Sequence, residues 1–201
     1  MKTTFFKILV AVTFAFLFIP SAFAMQNHPF TLQLSLGTSA IFYGDQAVKL
    51  QRETNFPSES TRFVMQGEVG TSFFLDEYIA FDLGSILGFD WFKYAPEGTY
   101  KNSMFLLSYD FFLGCRIYPF LEGFCFGIDY ITGGYHNFFM LQAVKSNLIG
   151  DWSNGFRIVA EYNVLNNRIG WSPAFGIYWQ NMARNGGWDN TVSVYARAQL
   201  R

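Results

Sequence analysis

The sequence predicts an all-β fold, an eight-stranded antiparallel up-and-down transmembrane β-barrel, and three observations lead to this prediction. The chain opens with an export signal, after which no apolar run is long enough for a spanning helix. Eight later segments alternate between an apolar and a polar side. Charged residues make up only 14% of the chain and aromatic residues 20%, whereas a typical soluble domain is roughly 25% charged.

The first 24 residues are predicted to be a cleaved signal peptide. Lys2 and Lys7 precede the apolar run ILVAVTFAFLFI, and residues 22–24 form an A-x-A cleavage pattern. We therefore expect residues 25–201 to form the barrel, in the outer membrane of a double-membrane bacterium. An uncleaved membrane anchor is the alternative, which the shortness of the apolar run disfavours.

The segment YIAFDLGSILGFDWF, residues 78–92, shows the alternation most clearly. Its odd positions are mostly bulky and apolar, whereas its even positions include Asp82, Asp90 and both glycines. A helix would scatter the two aspartates around its axis, so the period of two indicates a strand. The other predicted strands are 31–43, 61–75, 103–118, 123–134, 155–164, 168–180 and 191–201.

The connections between these strands alternate in length, as they do in transmembrane barrels. Short turns are expected at 76–77, 119–122 and 165–167, and longer polar connections at 44–60, 95–102, 135–154 and 181–190. An even number of strands in up-and-down order lets the sheet close and removes its edges.

Two stretches depart from the simple pattern. Residues 135–152 do not alternate, and a short helix, a strand extension and a lid all remain open for them. Pro173 lies inside a predicted strand and cannot donate a ladder hydrogen bond, so we expect a bulge there.

The face that carries the charges and glycines is predicted to line the lumen. An eight-stranded interior is only just wide enough to be filled by side chains, and the aromatic and aliphatic side chains of the other face exceed that volume. The apolar face is therefore expected to contact lipid. Trp91, Trp171 and Trp179 fit the aromatic girdles at the membrane interfaces.

Every cation on the polar face of the predicted strands is an arginine, the side chain best suited to bidentate pairing in a confined space. Because buried charges need partners, we expect these arginines to pair with the acids of the same face. This arrangement is interpreted as polar filling of the barrel, in preference to a catalytic or transport role. The predicted lumen network consists of Arg62, Glu68, Asp82, Asp90, Asp110, Arg116, Asp129, Arg157, Glu161, Arg168 and Arg197.

The sequence predicts no catalytic residue, no metal site and no cofactor. Cys115 and Cys125 fall on opposite faces, so we expect two unpaired thiols, although a bulge between them would reverse this. His28 and His136 have no metal-ligand spacing around them. A net charge of −1 gives no electrostatic basis for binding nucleic acid.

Taken together, these features resemble the small eight-stranded outer-membrane barrels, namely the OmpX family, the membrane domain of OmpA, and OmpW. The resemblance covers residues 25–201 and rests on architecture instead of a diagnostic motif. It differs at the last residues, because such barrels typically end in an aromatic residue whereas this chain ends Gln199-Leu200-Arg201. The resemblance implies a non-enzymatic protein whose partner is outer-membrane lipid.

Two functions follow from the resemblance. The first is a barrel filled by its charged network, with surface loops for adhesion, interaction with an extracellular ligand, or envelope integrity. The alternative is an OmpW-like narrow channel for small or hydrophobic molecules, for which an apolar mouth would be formed by Phe138, Phe139, Met140 and Leu141. A soluble ligand-binding barrel is a third, weaker interpretation.

Overall fold

The computed structural model describes residues 30–75, 78–95, 101–119, 123–141, 144–164 and 171–200. Arg168 and the predicted signal peptide lie outside these ranges. Among the described residues, no helix is long and apolar enough to cross a bilayer. The elements are β1 (Phe30–Phe42), α1 (Gln46–Asn55), β2 (Thr61–Phe74), β3 (Ile79–Tyr94), β4 (Asn102–Ile117), β5 (Phe124–Leu141), β6 (Val144–Ile149), β7 (Ser153–Asn163), β8 (Trp171–Arg184) and β9 (Gly187–Leu200).

Eight of the strands form a closed ring. β1, β2, β3 and β4 each pair antiparallel with the strand that follows. β5 pairs with β7, β7 with β8, and β8 with β9. β9 pairs with β1 and closes the ring. β6 is an extra strand that pairs with β5. The predicted eight-stranded antiparallel barrel is therefore confirmed.

The register fixes the shape of the barrel. The stagger is found by passing from each residue to its paired residue on the next strand of the ring. This path starts at Leu32 in β1, passes through the other seven strands of the ring to Asn190, and returns to β1 at Phe42, ten residues further along. A stagger of this size tilts the strands by about 40° from the barrel axis and leaves a narrow interior. Small side chains are therefore needed on the inner face wherever large ones cross it.

Gly84 shows how tightly the interior is filled. A Cβ at this position would lie 2.5 Å from the carbonyl oxygen of Val69 and 2.6 Å from the Phe112 ring. The opposite face of the sheet is apolar and exposed, as the alternation predicts. Its exposed side chains include Leu34, Leu36, Phe63, Phe81, Leu87, Trp91, Leu113, Ile128, Ile158, Phe175, Ile177, Trp179 and Val194.

The non-alternating stretch 135–152 is a strand extension followed by a return strand. β5 continues to Leu141, and β6 runs back along its upper part. The pattern is obscured because aromatic contacts cover the outer face of β5 while its inner face carries Tyr135, Phe139 and Leu141 beside the polar Asn137. His136 contacts Tyr109 with ring centroids 5.8 Å apart, and Phe138 contacts Phe105 at 6.4 Å.

The predicted connection at 181–190 is wrong, because β8 and β9 meet in a two-residue turn. β8 extends to Arg184 and β9 begins at Gly187. Gly186 in the turn has a φ of 87°, and Asn-Gly is the preferred sequence for such a tight hairpin. The predicted connection at 44–60 likewise contains a regular element, the helix α1.

The bulge expected at Pro173 is absent, since the register of β8 with β9 runs through it without interruption and the register with β7 ends one residue away, at Ala174. The Pro173 carbonyl accepts from the backbone N–H of Val164, 2.8 Å away, just beyond the last paired residue of β7. The hydrogen bond that proline cannot donate is replaced by Ser172, whose Oγ lies 3.2 Å from the Val164 carbonyl oxygen. Pro173 is therefore accommodated at the end of a ladder.

Candidate functional site

The turn end of the barrel, where β2 meets β3 and β4 meets β5, is filled by buried ion pairs. Arg157 places its Nη1 2.6 Å from Glu68 Oε2 and its Nε 2.5 Å from Asp129 Oδ2. Arg116 pairs with the other oxygen of Asp129 and, through its Nε, with Asp82 at 3.1 Å. All five side chains are almost completely buried.

Arg197 extends this arrangement to β9. Its Nη2 lies 2.8 Å from Glu68 Oε1, and its Nη1 lies 3.1 Å from Glu161 Oε2. Glu161 also accepts from the Tyr195 hydroxyl at 2.9 Å and from Gln199 Nε2 at 3.3 Å. We call the resulting continuous set the lower network, consisting of Glu68, Asp82, Arg116, Asp129, Arg157, Glu161 and Arg197.

Aromatic rings pack against the guanidinium group of Arg157. The carbon Cζ lies 4.3 Å from the centroid of Phe112 and 4.9 Å from that of Tyr178. Both rings are buried, so the lower network is covered by apolar surface on its mouth side. Charged and aromatic layers together fill this half of the lumen.

Arg62 and Asp90 form a separate pair nearer the mouth. Arg62 Nη2 lies 2.7 Å and its Nε 3.0 Å from the two oxygens of Asp90. The Tyr43 hydroxyl also donates to Asp90. Burial, and then the Asp90 carboxylate, raise the pKa of Tyr43 well above its ordinary value, so Tyr43 remains a protonated donor. The predicted single network is therefore divided into two clusters.

Asp110 departs from the predicted network. Its carboxylate is buried and accepts from Gln180 Nε2 at 3.3 Å. Within the described part of the chain, no cation lies within ion-pair distance of Asp110, and its Oδ1 has no hydrogen-bond partner. The nearby cation Arg184 pairs instead with Asp189 at 3.0 Å. Sequence reasoning missed both of these residues because it assigned them to a loop, although the Asn-Gly turn would have extended the alternation to them.

The helix α1 caps the mouth of the barrel. Asp45 is its N-cap and accepts from the backbone N–H groups of Ala47 and Val48 at 2.9 and 3.2 Å. The second oxygen of Asp45 accepts from the Tyr135 hydroxyl at 2.6 Å, and the backbone N–H of Gly44 donates to Asp189 at 2.7 Å. The start of the helix is thereby attached to both β5 and β9.

An apolar cluster holds the other end of the helix. Phe56, just after α1, packs with buried Phe92 and Met104, and Phe139 and Leu141 pack against this group. Phe138 and Met140 alternate with these side chains on the opposite face of β5, and Phe138 is exposed. The four residues predicted to form an apolar mouth therefore divide between the two faces of the strand.

The ladder between β1 and β2 stops before either strand ends. Its last pair is Gly37 with Gln66, although β1 continues to Phe42 and β2 begins at Thr61. Only side chains bridge the strands above this pair among the described contacts: Thr38 Oγ1 donates to the Val64 carbonyl at 2.8 Å, Arg62 Nη2 to the Ile41 carbonyl at 3.2 Å, and Ser39 Oγ to Gln66 Oε1 at 2.6 Å. We call this gap the β1–β2 break.

A small cavity of about 40 Å³ lies behind the β1–β2 break. Ile41 and Val64 line it from the two sides of the break, and Asp110, Gln180 and Arg184 line its interior. On this scale a single water needs about 10–15 Å³. The cavity is therefore large enough for a few waters or one small polar group.

Cys115 and Cys125 are both free thiols, and Cys125 is buried. Among the described residues, no group of three or more His, Cys, Asp or Glu side chains is placed to hold a metal ion. The chemistry that the interior offers is pairing of charges and hydrogen bonding.

No protein-family model matches the sequence, and no relative is found among curated proteins. Similar solved structures include Neisserial surface protein A, which is 7% identical with a TM-score of 0.47 over 86% of this chain and 97% of that chain. Ail, the attachment invasion locus protein of Yersinia pestis, is 8% identical with a TM-score of 0.48 over 85% and 97%. The N-terminal β-barrel domain of Pseudomonas aeruginosa OprF is 10% identical with a TM-score of 0.32 over 86% and 99%.

These likenesses concern the fold alone, and the three proteins are small eight-stranded outer-membrane barrels. In this chain the outer face of the ring is apolar and exposed, as lipid requires, while the charges are enclosed. An outer-membrane location fits this distribution. The closed ring, the apolar belt and the charged interior give the chain the architecture of the small eight-stranded outer-membrane β-barrels.

Proposed function

We propose that the protein is a non-enzymatic outer-membrane barrel that conducts nothing across the membrane and acts through the surface at its mouth. The observation that carries this proposal is the double closure of the lumen, by the lower network at the turn end and by α1 at the mouth. A pathway through the lower network would separate Arg157 from its carboxylates, and breaking a buried pair costs about 3–5 kcal/mol.

The surface at the mouth offers an interaction site of two parts. The outer side of α1 exposes Leu50 among polar side chains and carries Lys49 and Glu53, an exposed pair 4.0 Å apart. β6 is almost entirely exposed and, within the described residues, pairs with β5 alone. An unpaired strand edge can accept an extended segment of another protein through backbone hydrogen bonds. Adhesion, interaction or envelope integrity would use this surface.

Planar-bilayer conductance of the detergent-refolded residues 25–201 tests the proposal. The native protein is expected to be silent, and an Arg157→Ala, Glu161→Ala variant is expected to leak because it opens the lower network. A Lys49→Ala, Glu53→Ala variant removes an ion pair from the exposed face of α1 and is the matched control, expected to remain silent. Discrete conductance by the native protein would refute the proposal.

A narrow conduit for small or hydrophobic molecules is the second candidate, because the β1–β2 break and the apolar cluster of Ile86, Phe112, Ile131 and Met182 favour it. The lower network closes the route below this cluster, so such a conduit would open sideways through the break. Native conductance that persists when α1 is held in place would support this candidate over the first.

A further inference from the structure

The outer side of the β1–β2 break carries exposed aromatic side chains. The register places Phe63, on the β2 side of the break, directly opposite Trp91 in β3, and both side chains are exposed on the outer face. In lipid, backbone groups must find partners within the protein. Thr38 and Arg62 supply partners for two carbonyl groups across the break, so the wall is closed here by side chains in place of a ladder.

A groove on the outer surface meets the inner cavity at this break. The groove has a volume of about 670 Å³, and its outer lining includes the exposed apolar side chains Leu36, Phe63 and Phe175. Val64 and Met65 line both the groove and the cavity. Movement of these two side chains would therefore join an apolar space outside the wall to the inner cavity, which Asp110, Gln180 and Arg184 also line.

One carboxyl group that lines the inner cavity has no ion-pair partner among the described residues. Arg184 and Asp189 line the cavity and neutralise each other in an ion pair at 3.0 Å. Asp110 also lines the cavity, is 4% exposed, and leaves its Oδ1 without a hydrogen-bond partner among the described residues. A buried carboxylate oxygen in this state is normally satisfied by a donor or a cation.

The sizes of the two spaces restrict the ligand. The cavity of about 40 Å³ holds a head group of the size of a few waters, such as a primary ammonium group. The groove suits an alkyl chain, which gains by leaving contact with water and packing on apolar side chains. The required ligand has a small cationic head and an apolar tail.

We propose that the protein binds a primary alkylamine through the β1–β2 break, with its ammonium group on Asp110 and its alkyl chain in the outer groove. The ammonium group supplies donors to Asp110 Oδ1, and the tail covers Leu36 and Phe175. Val64 and Met65 move aside to admit the head. The head site lies inside the lumen, where Asp110 of β4 meets Gln180 of β8, whereas the alkyl chain stays in the groove outside the wall.

Native mass spectrometry of the detergent-solubilised protein with dodecylamine tests this site, with dodecanoate as the anionic probe of equal chain length. One molecule of dodecylamine is expected to bind, and dodecanoate is expected not to exceed background. Asp110→Asn keeps the size of the side chain and is expected to weaken dodecylamine binding by about tenfold or more. Asp151→Asn, at an exposed acid, is the matched control and should bind as the native protein does.

A second variant keeps Asp110 intact and closes the break. Thr38→Cys with Met65→Cys places two thiols on facing strands, and cross-linking them is expected to abolish binding that returns on reduction. The shift in gel mobility on heating verifies that each variant is folded. Equal binding of dodecylamine to the native protein and to folded Asp110→Asn, or unchanged binding after cross-linking, would overturn the proposal.

Discussion

Arg157 illustrates what a single residue contributes to this interior. Its guanidinium group contacts two carboxylates along its edge and two aromatic rings on its faces. A lysine ammonium is a point charge. It could neither stack flat on the aromatic rings nor present two edges to two carboxylates, as the guanidinium group does. The sequence preference for arginine on the inner face follows from this geometry.

Replacing Arg157 with methionine is expected to destabilise the barrel by about 3–5 kcal/mol, because Glu68 and Asp129 would each lose a buried partner. Urea-induced unfolding in lipid vesicles measures this change. The same replacement at Lys49, whose side chain is 59% exposed, is the control and should change the free energy of unfolding by about 0–1 kcal/mol. Equal effects would show that the lower network contributes no specific stability.

Two glycines on neighbouring strands, Gly84 on the inner face and Gly67 on the outer face, test how tightly the interior is packed. Gly84→Ala would place a methyl group 2.5 Å from the Val69 carbonyl oxygen and is expected to cost about 1–3 kcal/mol. Gly67→Ala meets nothing nearer than the Ser35 carbonyl oxygen at 3.8 Å, so it should be neutral or slightly stabilising. Both values come from the same unfolding measurement, and a costly Gly67→Ala would contradict the assignment of faces.

The alternation of the sequence predicts which residues face inward, but it cannot predict which of them meet. Arg157 and Glu161 share a face of β7 because strands have a period of two. Glu68, which pairs with Arg157, is 89 positions away in the chain. That contact depends on the stagger of the ring, which no local pattern encodes. For the same reason Asp110 was expected to have an ion-pair partner that the structure does not provide.

At the scale of elements, α1 is the helix that the sequence pattern did not predict. It has ten residues, and Val48 is its only fully buried member, so it shows almost no apolar stripe. Asp45 was the available signal, since aspartate is a favoured N-cap residue. Tertiary contacts to Tyr135 and Asp189 decide where the helix lies. β6 was missed for a different reason, because its sequence VKSNLI does not alternate between apolar and polar residues.

Replacing Asp45 with alanine is expected to loosen α1 by about 1 kcal/mol through loss of the N-cap, and further through loss of the Tyr135 contact. Trypsin cleavage at Lys49 and Arg52 in reconstituted vesicles should accelerate, while the heat-dependent gel shift of the barrel remains unchanged. Asp151→Ala is the control for loss of an acid in an exposed connection. Cleavage at the native rate would mean that the cap is held by its apolar end alone.

At the scale of the whole molecule, the apolar belt distinguishes a barrel in lipid from one in water. Ile158 is 48% exposed in the middle of β7, paired with Ile128 and Trp179. Arginine at this position is expected to cost about 2–4 kcal/mol in a bilayer. Val144→Arg, at a position 67% exposed on β6, should cost little. Unfolding in vesicles measures both, and equal small costs would contradict the membrane assignment.

The β1–β2 break also bears on the order in which the strands assemble. β1 pairs with β2 over eight residues, from Phe30 to Gly37, but with β9 over eleven, from Leu32 to Phe42. The upper part of β1 therefore acquires its ladder only when β9 arrives, although β2 is its neighbour in sequence. In an assembly intermediate that lacks β9, β1 would pair with β2 only through its lower part. Residues 38–42 would then have no ladder partner. Insertion of β9 would then close the ring and supply the ladder partners of the upper part of β1 in the same step.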